Sequence, residues 1–285
     1  MPEERYRILH AGFDNIGVKY DSTPVEFSSD LEDKIAAKWA EMLAEAKKSG
    51  KNLFDGSMVR AASMKQEGQR LDFNLQRTSF RKFVVTNRMP VQETDFNPYA
   101  ENPDTSKMAF PLSVGALIST HRERRNGYRN HVIVGQRSLK AYGASTLSIT
   151  PAGYATVSDC GHISLPDEKD ELSDPDTIIG GTVFGRAYNE MNQELNCALL
   201  RPLGVILDCV DTRQPMLALK GSIPYSKDET KARWEELKKK EFVELIFVPN
   251  EIASIVDFLN KHGEQMFPHS QAALQLYMRD FDRFN

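Results

Sequence analysis

Leu31, Ile35, Trp39, Met42, Leu43 and Ala46 recur at helical spacing between Ser29 and Lys48, which predicts an amphipathic helix that Ser29 can cap and Gly50 ends. The strongest strand pattern is the run Phe242-Val243-Glu244-Leu245-Ile246-Phe247-Val248, closed by Pro249-Asn250 before a helix at Glu251–Lys261. Earlier, Leu53-Phe54-Asp55-Gly56 marks a tight turn, and two short alternating strands, Met58–Ser63 and Arg70–Gln76, join through Glu67-Gly68 ahead of a short helix at Ser79–Thr86. Leu112–Ser119, His131–Gly135, Leu147–Thr150, Leu203–Leu207 and Met216–Leu219 read as further strands, and Thr182–Leu195, Ser226–Lys239 and Ser270–Met278 as helices.

Between Pro90 and Pro111 the chain turns to Asn, Pro, Asp, Glu and Ser, with Asn97-Pro98 and Asn102-Pro103 as turn signals, so this stretch is the linker candidate. It divides an N-terminal α+β region, 1–105, from a second domain, 106–285. Strands and helices follow in irregular order rather than in strand-helix repeats, which predicts an α+β sandwich rather than a doubly wound parallel sheet.

Composition narrows the setting. The 285 residues are 40% hydrophobic and 27% charged, the profile of a folded, water-soluble protein. A net charge of -4 supplies no general basic field for nucleic acid or anionic membrane. The foremost basic patch, His121-Arg122-Glu123-Arg124-Arg125, reads as a solvated hairpin loop, and the lysine-rich end of the helix at Ser226–Lys239 as a solvated face. Cys160, Cys197 and Cys209 form no CxxC pair, which suggests a reducing compartment. The first residues lack an apolar signal core and no stretch approaches the ~18 apolar residues of a membrane span, so a cytoplasmic protein is expected.

The candidate chemistry sits on the predicted helix Thr182–Leu195. Glu190, Gln193 and Glu194 lie at i, i+3 and i+4, on one face, while Phe184, Tyr188, Met191 and Leu195 lie on another. Three oxygen-bearing side chains so spaced can converge on a hard cation such as Mg²⁺, which takes carboxylates, water and phosphate oxygens. Acidic pairs at i, i+4 are also common on solvated helix faces, so spacing alone leaves both readings open.

Upstream, Asp159-Cys160-Gly161-His162 opens a loop in which five residues separate Gly161 from Asp167; after a longer spacer come Asn189-Glu190-Met191-Asn192-Gln193-Glu194-Leu195-Asn196-Cys197. This resembles the Nudix box, G-x5-E-x7-R-E-U-x-E-E-x-G-U with U aliphatic, interrupted by roughly fourteen additional residues near Glu168–Gly181. Leu53-Phe54-Asp55-Gly56 with Arg60, Thr86-Asn87, Leu112–Ala116 and Val132–Ser138 are similar to the UDP-glucose pyrophosphatase-type subgroup. The resemblance implies a Nudix-type α/β/α sandwich with a mixed sheet and hydrolysis of a nucleoside diphosphate linked to another moiety, UDP-glucose or a related nucleotide sugar foremost. It further implies Mg²⁺ or Mn²⁺ held by Glu190, Gln193 and Glu194, and a small-molecule substrate with no nucleic-acid or membrane partner; a homodimer is compatible with it.

By position, Glu190 and Glu194 are the implied catalytic carboxylates, and one of them or Glu244 on the late strand would orient or deprotonate the attacking water. Glu241 competes with Glu244, which can equally point into solvent. Arg137, Gly161 and His162 are the candidate contacts to the substrate phosphates, although a strand-end arginine more often forms a surface salt bridge and a lone loop histidine more often packs. Departures from the box count too. Gln193 replaces a glutamate and removes a negative charge from the metal site, and Asn189 replaces an arginine that Arg186, one turn back, could stand in for. The alternative these changes raise is a nucleotide-binding module of the same fold that has weak turnover or none.

Overall fold

The computed structural model describes residues 5–50, 53–88, 96–101, 103–120, 130–137, 146–150, 152–155, 198–236 and 242–281. In chain order these form β1 (Tyr6–Ala11), β2 (Asn15–Pro24), α1 (Ser29–Lys48), β3 (Ser57–Glu67), β4 (Arg70–Ser79), α2 (Phe80–Phe83) and a π turn (Val84–Arg88). Next come β5 (Ser113–Ser119), β6 (His131–Arg137), β7 (Leu147–Ile149), β8 (Ala152–Tyr154), β9 (Ala198–Asp208) and β10 (Pro215–Ser222). The chain continues with α3 (Lys227–Glu236), β11 (Phe242–Pro249), α4 (Ile252–His262) and α5 (Pro268–Phe281).

The α+β expectation holds: a large mixed sheet is packed with helices. Its strand order is β1-β9-β10-β5-β6-β11, with β10 and β5 parallel and the other pairs antiparallel. β5 and β6 pair only at Ser119 and Val132 and then diverge, and β8 pairs with β5 and β7 with β6 where they separate. Every residue of β5 is buried, and this continuous apolar run is what a central strand covered on both faces requires. On one face, Leu117, Val134, Ile206 and Met216 pack with Ile255 and Phe258 of α4 and Ala272, Ala273 and Leu274 of α5. On the other, Val114, Ala116, Ile118, Val205, Leu207 and Leu217 share a core with Ile16, Val18, Leu71, Phe73 and Leu75 of the three-stranded sheet β2-β4-β3.

That core is continuous across residue 105, and β1, from the first dozen residues, pairs with β9. The linker reading of 90–111 needs correction at its end: Met108, Ala109 and Phe110 are buried, and Phe110 O accepts from Ala61 N at 3.3 Å. Three apolar side chains there outweigh the polar residues before them.

Ser28, one residue earlier than expected, caps α1 by accepting from Leu31 N at 3.4 Å. The β3–β4 hairpin turns at Gly68, whose φ of +59° suits glycine. The short helix expected at 79–86 is a single α turn capped by Ser79 that widens into the π turn. There the Thr86 hydroxyl donates to Lys82 O and accepts from Ala109 N, and the Asn87 amide donates to Thr212 O and Arg213 O at 3.3 and 2.9 Å while its oxygen accepts from Phe110 N. Phe110 and Arg213, at the two ends of this bridge, hold positive φ of 43° and 48°, a conformation that persists in non-glycine residues only where neighbours fix it.

The β9–β10 connection is organised by Asp208, which is fully buried. Its carboxylate accepts from the backbone N–H groups of Val210, Asp211 and Thr212, each at 2.9 Å, and from the Thr212 hydroxyl at 2.7 Å. Four donors satisfy a charge that burial would otherwise make unfavourable. We expect Asp208→Ala to leave those donors unpaired and lower stability by about 2–4 kcal/mol, measured by denaturant titration, with Asp208→Asn losing less.

Candidate functional site

Gly161, His162, Glu190, Gln193 and Glu194 lie outside the described residues, as do Asp167, Arg186, Asn189 and the competing Glu241. The stretch that carries the box-like motif follows Ala155 and precedes Ala198, and both of those residues are in place. Ala155 is buried, donates to Leu112 O at 3.0 Å and accepts from Val59 N at 3.0 Å. Ala198 pairs with Ser222 across the β9–β10 ladder.

Arg137 and Glu244 are described, and both lie on the β6–β11 pair. Arg137 closes β6 opposite Phe242, and its guanidinium carbon sits 5.9 Å from the Phe242 ring centroid and 5.8 Å from that of Phe267. Cations at this range are drawn to the ring faces, which orients the side chain. The Phe242 ring lies across Gly135, where a Cβ would meet it at 2.4 Å. Glu244 is exposed and pairs with Gln136 just beyond a bulge in β11. Because side chains alternate along a strand, Gln136 and Glu244 face the side opposite Gly135 and Arg137. The strand register therefore separates the two candidates by face rather than converging them. Among the described residues, no group of three or more His, Cys, Asp or Glu is placed to hold a metal ion, and no helix is long and apolar enough to cross a membrane.

Arg60, which follows the Leu53-Phe54-Asp55-Gly56 turn, has an unusual setting. Arg60 on β3 is 7% exposed, and its Nη2 donates to Thr105 O and to Thr105 Oγ1, each at 3.3 Å, while its Nε has no hydrogen-bond partner among the described residues. Burial pulls its pKa below the ordinary guanidinium value. A charge interrupting the apolar run Met58-Val59-Arg60-Ala61 was the available signal.

No protein-family model matches the chain, and no curated protein matches it. Among solved structures, it is similar to a mutT/nudix family protein from Listeria innocua, at 14% identity and a TM-score of 0.39, covering 61% of this chain and 96% of that one. The Nudix hydrolase RenU from M. smegmatis follows, at 11% identity and a TM-score of 0.37, covering 62% of this chain and 88% of that one. A NUDIX hydrolase from Alicyclobacillus acidocaldarius gives 12% identity and a TM-score of 0.37, covering 58% of this chain and 90% of that one. These structural neighbours are thus Nudix hydrolases.

The close approach at Gly135 makes a direct check on the β6–β11 site. Gly135→Ala should displace the Phe242 ring from beneath Arg137 and destabilise the protein by about 1–3 kcal/mol. Gly153→Ala, where a Cβ would meet nothing within 4 Å, is the control and should be near neutral in the same denaturant titration.

Proposed function

We propose that this chain hydrolyses a nucleoside diphosphate linked to another moiety, with UDP-glucose or a related nucleotide sugar as substrate and UMP and the sugar 1-phosphate as products. The observation that carries the reading is the Gly161…Asp167…Glu190…Glu194 pattern, which resembles the Nudix box, in a chain whose α+β fold has a large mixed sheet. Water attacks one phosphorus of the diphosphate, the bridging P–O bond breaks, and the leaving phosphate ester takes the electron pair.

The donor set suits a hard divalent ion: the carboxylates of Glu190 and Glu194 and the amide oxygen of Gln193 would hold Mg²⁺ or Mn²⁺, which when bound neutralises charge on the diphosphate. Glu190 or Glu194 would take the proton of the attacking water, with Arg137, Gly161 and His162 contacting the phosphates; Glu244, on the sheet face opposite Arg137, would serve as base only for a site on its own face. A cytoplasmic setting, a small-molecule substrate and no nucleic-acid or membrane partner complete the proposal, and a homodimer accords with it.

A second reading, a nucleotide-binding module of weak or absent turnover, draws on Gln193 and Asn189, which stand where the box has glutamate and arginine. Incubation with UDP-glucose, ADP-ribose and related dinucleotides, with and without Mg²⁺, separates the two. Nucleoside monophosphate release that depends on Mg²⁺ is expected; nucleotide binding without release from any of these substrates selects the binding module. Glu194→Gln should lower kcat/KM by about 10²-fold or more, since it leaves one helix carboxylate for the ion. Turnover like that of the wild type in this variant means the ligands lie elsewhere.

A further inference from the structure

We infer that Arg60 and Thr78, on the β3–β4 hairpin, form an oxyanion site that binds a phosphate group. Buried cations are ordinarily paired with a carboxylate, and among the described residues Arg60 has no such partner: its hydrogen bonds there are the two contacts to Thr105, both long and both to neutral oxygens. Among the described residues its Nε donor is unused, and the Thr78 hydroxyl, on a residue 4% exposed, also has no hydrogen-bond partner. Two buried donors, the Nε of Arg60 and the hydroxyl of Thr78, are thus unsatisfied within one stretch of hairpin, on residues each more than nine-tenths buried. Buried donors of this kind are ordinarily satisfied by a protein group, a water or an ion, and a bound oxyanion would satisfy both.

The register places them together. Arg60 pairs with Gln76 and Met58 with Thr78, so Arg60 and Thr78 are diagonal neighbours on the same face of the hairpin, within reach of a long side chain. A guanidinium fork and a hydroxyl donor match the oxygens of a tetrahedral phosphate. Val59, next to Arg60, donates to Ala155 O, so the site lies beside the end of β8, after which the box-like motif follows in sequence. Assigning the anion to the diphosphate of a nucleotide substrate rests on the hydrolase reading; the anion site itself does not.

Inorganic pyrophosphate titrated into the full-length protein by calorimetry tests the site. The wild type should bind, Arg60→Gln should bind about 10–100-fold more weakly, and Arg60→Lys and Thr78→Val should fall between, with folding checked by circular dichroism. No binding to the wild type, or equal affinity in wild type and a folded Arg60→Gln, overturns the inference. Should Arg60→Gln not fold, the arginine Nε–H signals of ¹⁵N-labelled wild type decide. The Arg60 signal, identified by its loss in Arg60→Lys, should move with pyrophosphate, and a signal that stays in place overturns the site. Pyrophosphate binding that depends on Arg60, without nucleotide hydrolysis, would remove the hydrolase reading and keep the site. Hydrolysis of UDP-glucose with KM unchanged in Arg60→Lys would keep the hydrolase reading and reject Arg60 as a contact to its diphosphate.

Discussion

The buried carboxamide of Asn87 joins segments that no backbone ladder connects. The π turn that carries it follows the small sheet, the amide it receives belongs to Phe110 at the entrance to the central strand, and the carbonyls it satisfies close the β9–β10 hairpin. Backbone polar groups buried where two sheets meet must find partners, because a lost hydrogen bond there is not replaced by water. Asn87 supplies donor and acceptor at once, and Asp208, at the other end of the same hairpin loop, supplies an acceptor for four donors. The irregular backbone at Phe110 and Arg213 is held between these two side chains and the core around them.

Elements governed by local physics were legible in the sequence. Helix α1 has its apolar stripe and a serine cap, the β3–β4 hairpin has its glycine, and β11 is a dense run of strand formers. Strands β1 and β2 were not read, because Tyr6-Arg7-Ile8-Leu9-His10 mixes charge with apolar residues and becomes a strand through pairing with residues about two hundred positions away. The buried end of the 90–111 stretch was hidden for a related reason: the composition of the whole segment masked three consecutive apolar residues that the core takes up.

The candidate site was legible only as chemistry. Glu190, Gln193 and Glu194 form a pattern in sequence, but their convergence is a matter of tertiary placement, and they lie outside the described residues. Arg137 and Glu244 illustrate the difficulty, since the register of β6 against β11 assigns them opposite faces of the sheet, and a bulge at Val243 makes that register unreadable from alternation alone. Arg60 was inconspicuous because one charged residue in a strand ordinarily points to solvent, and only burial reveals that this one does not.

Strand β1 also has a bearing on how the molecule comes into being. Tyr6 pairs with Asp208, so the partner of the first strand is among the later parts of the chain to be made. At about 5–20 residues per second, roughly 10–40 s of synthesis separate the two, and through that interval the N–H and C=O groups of β1 have no ladder to join. A strand in this state invites pairing with a neighbouring nascent chain. Its brevity, with Arg7 and His10 set among its apolar residues, is of the kind that disfavours such pairing, so the same mixed pattern that obscures β1 in the sequence also makes it a poor template for a neighbour.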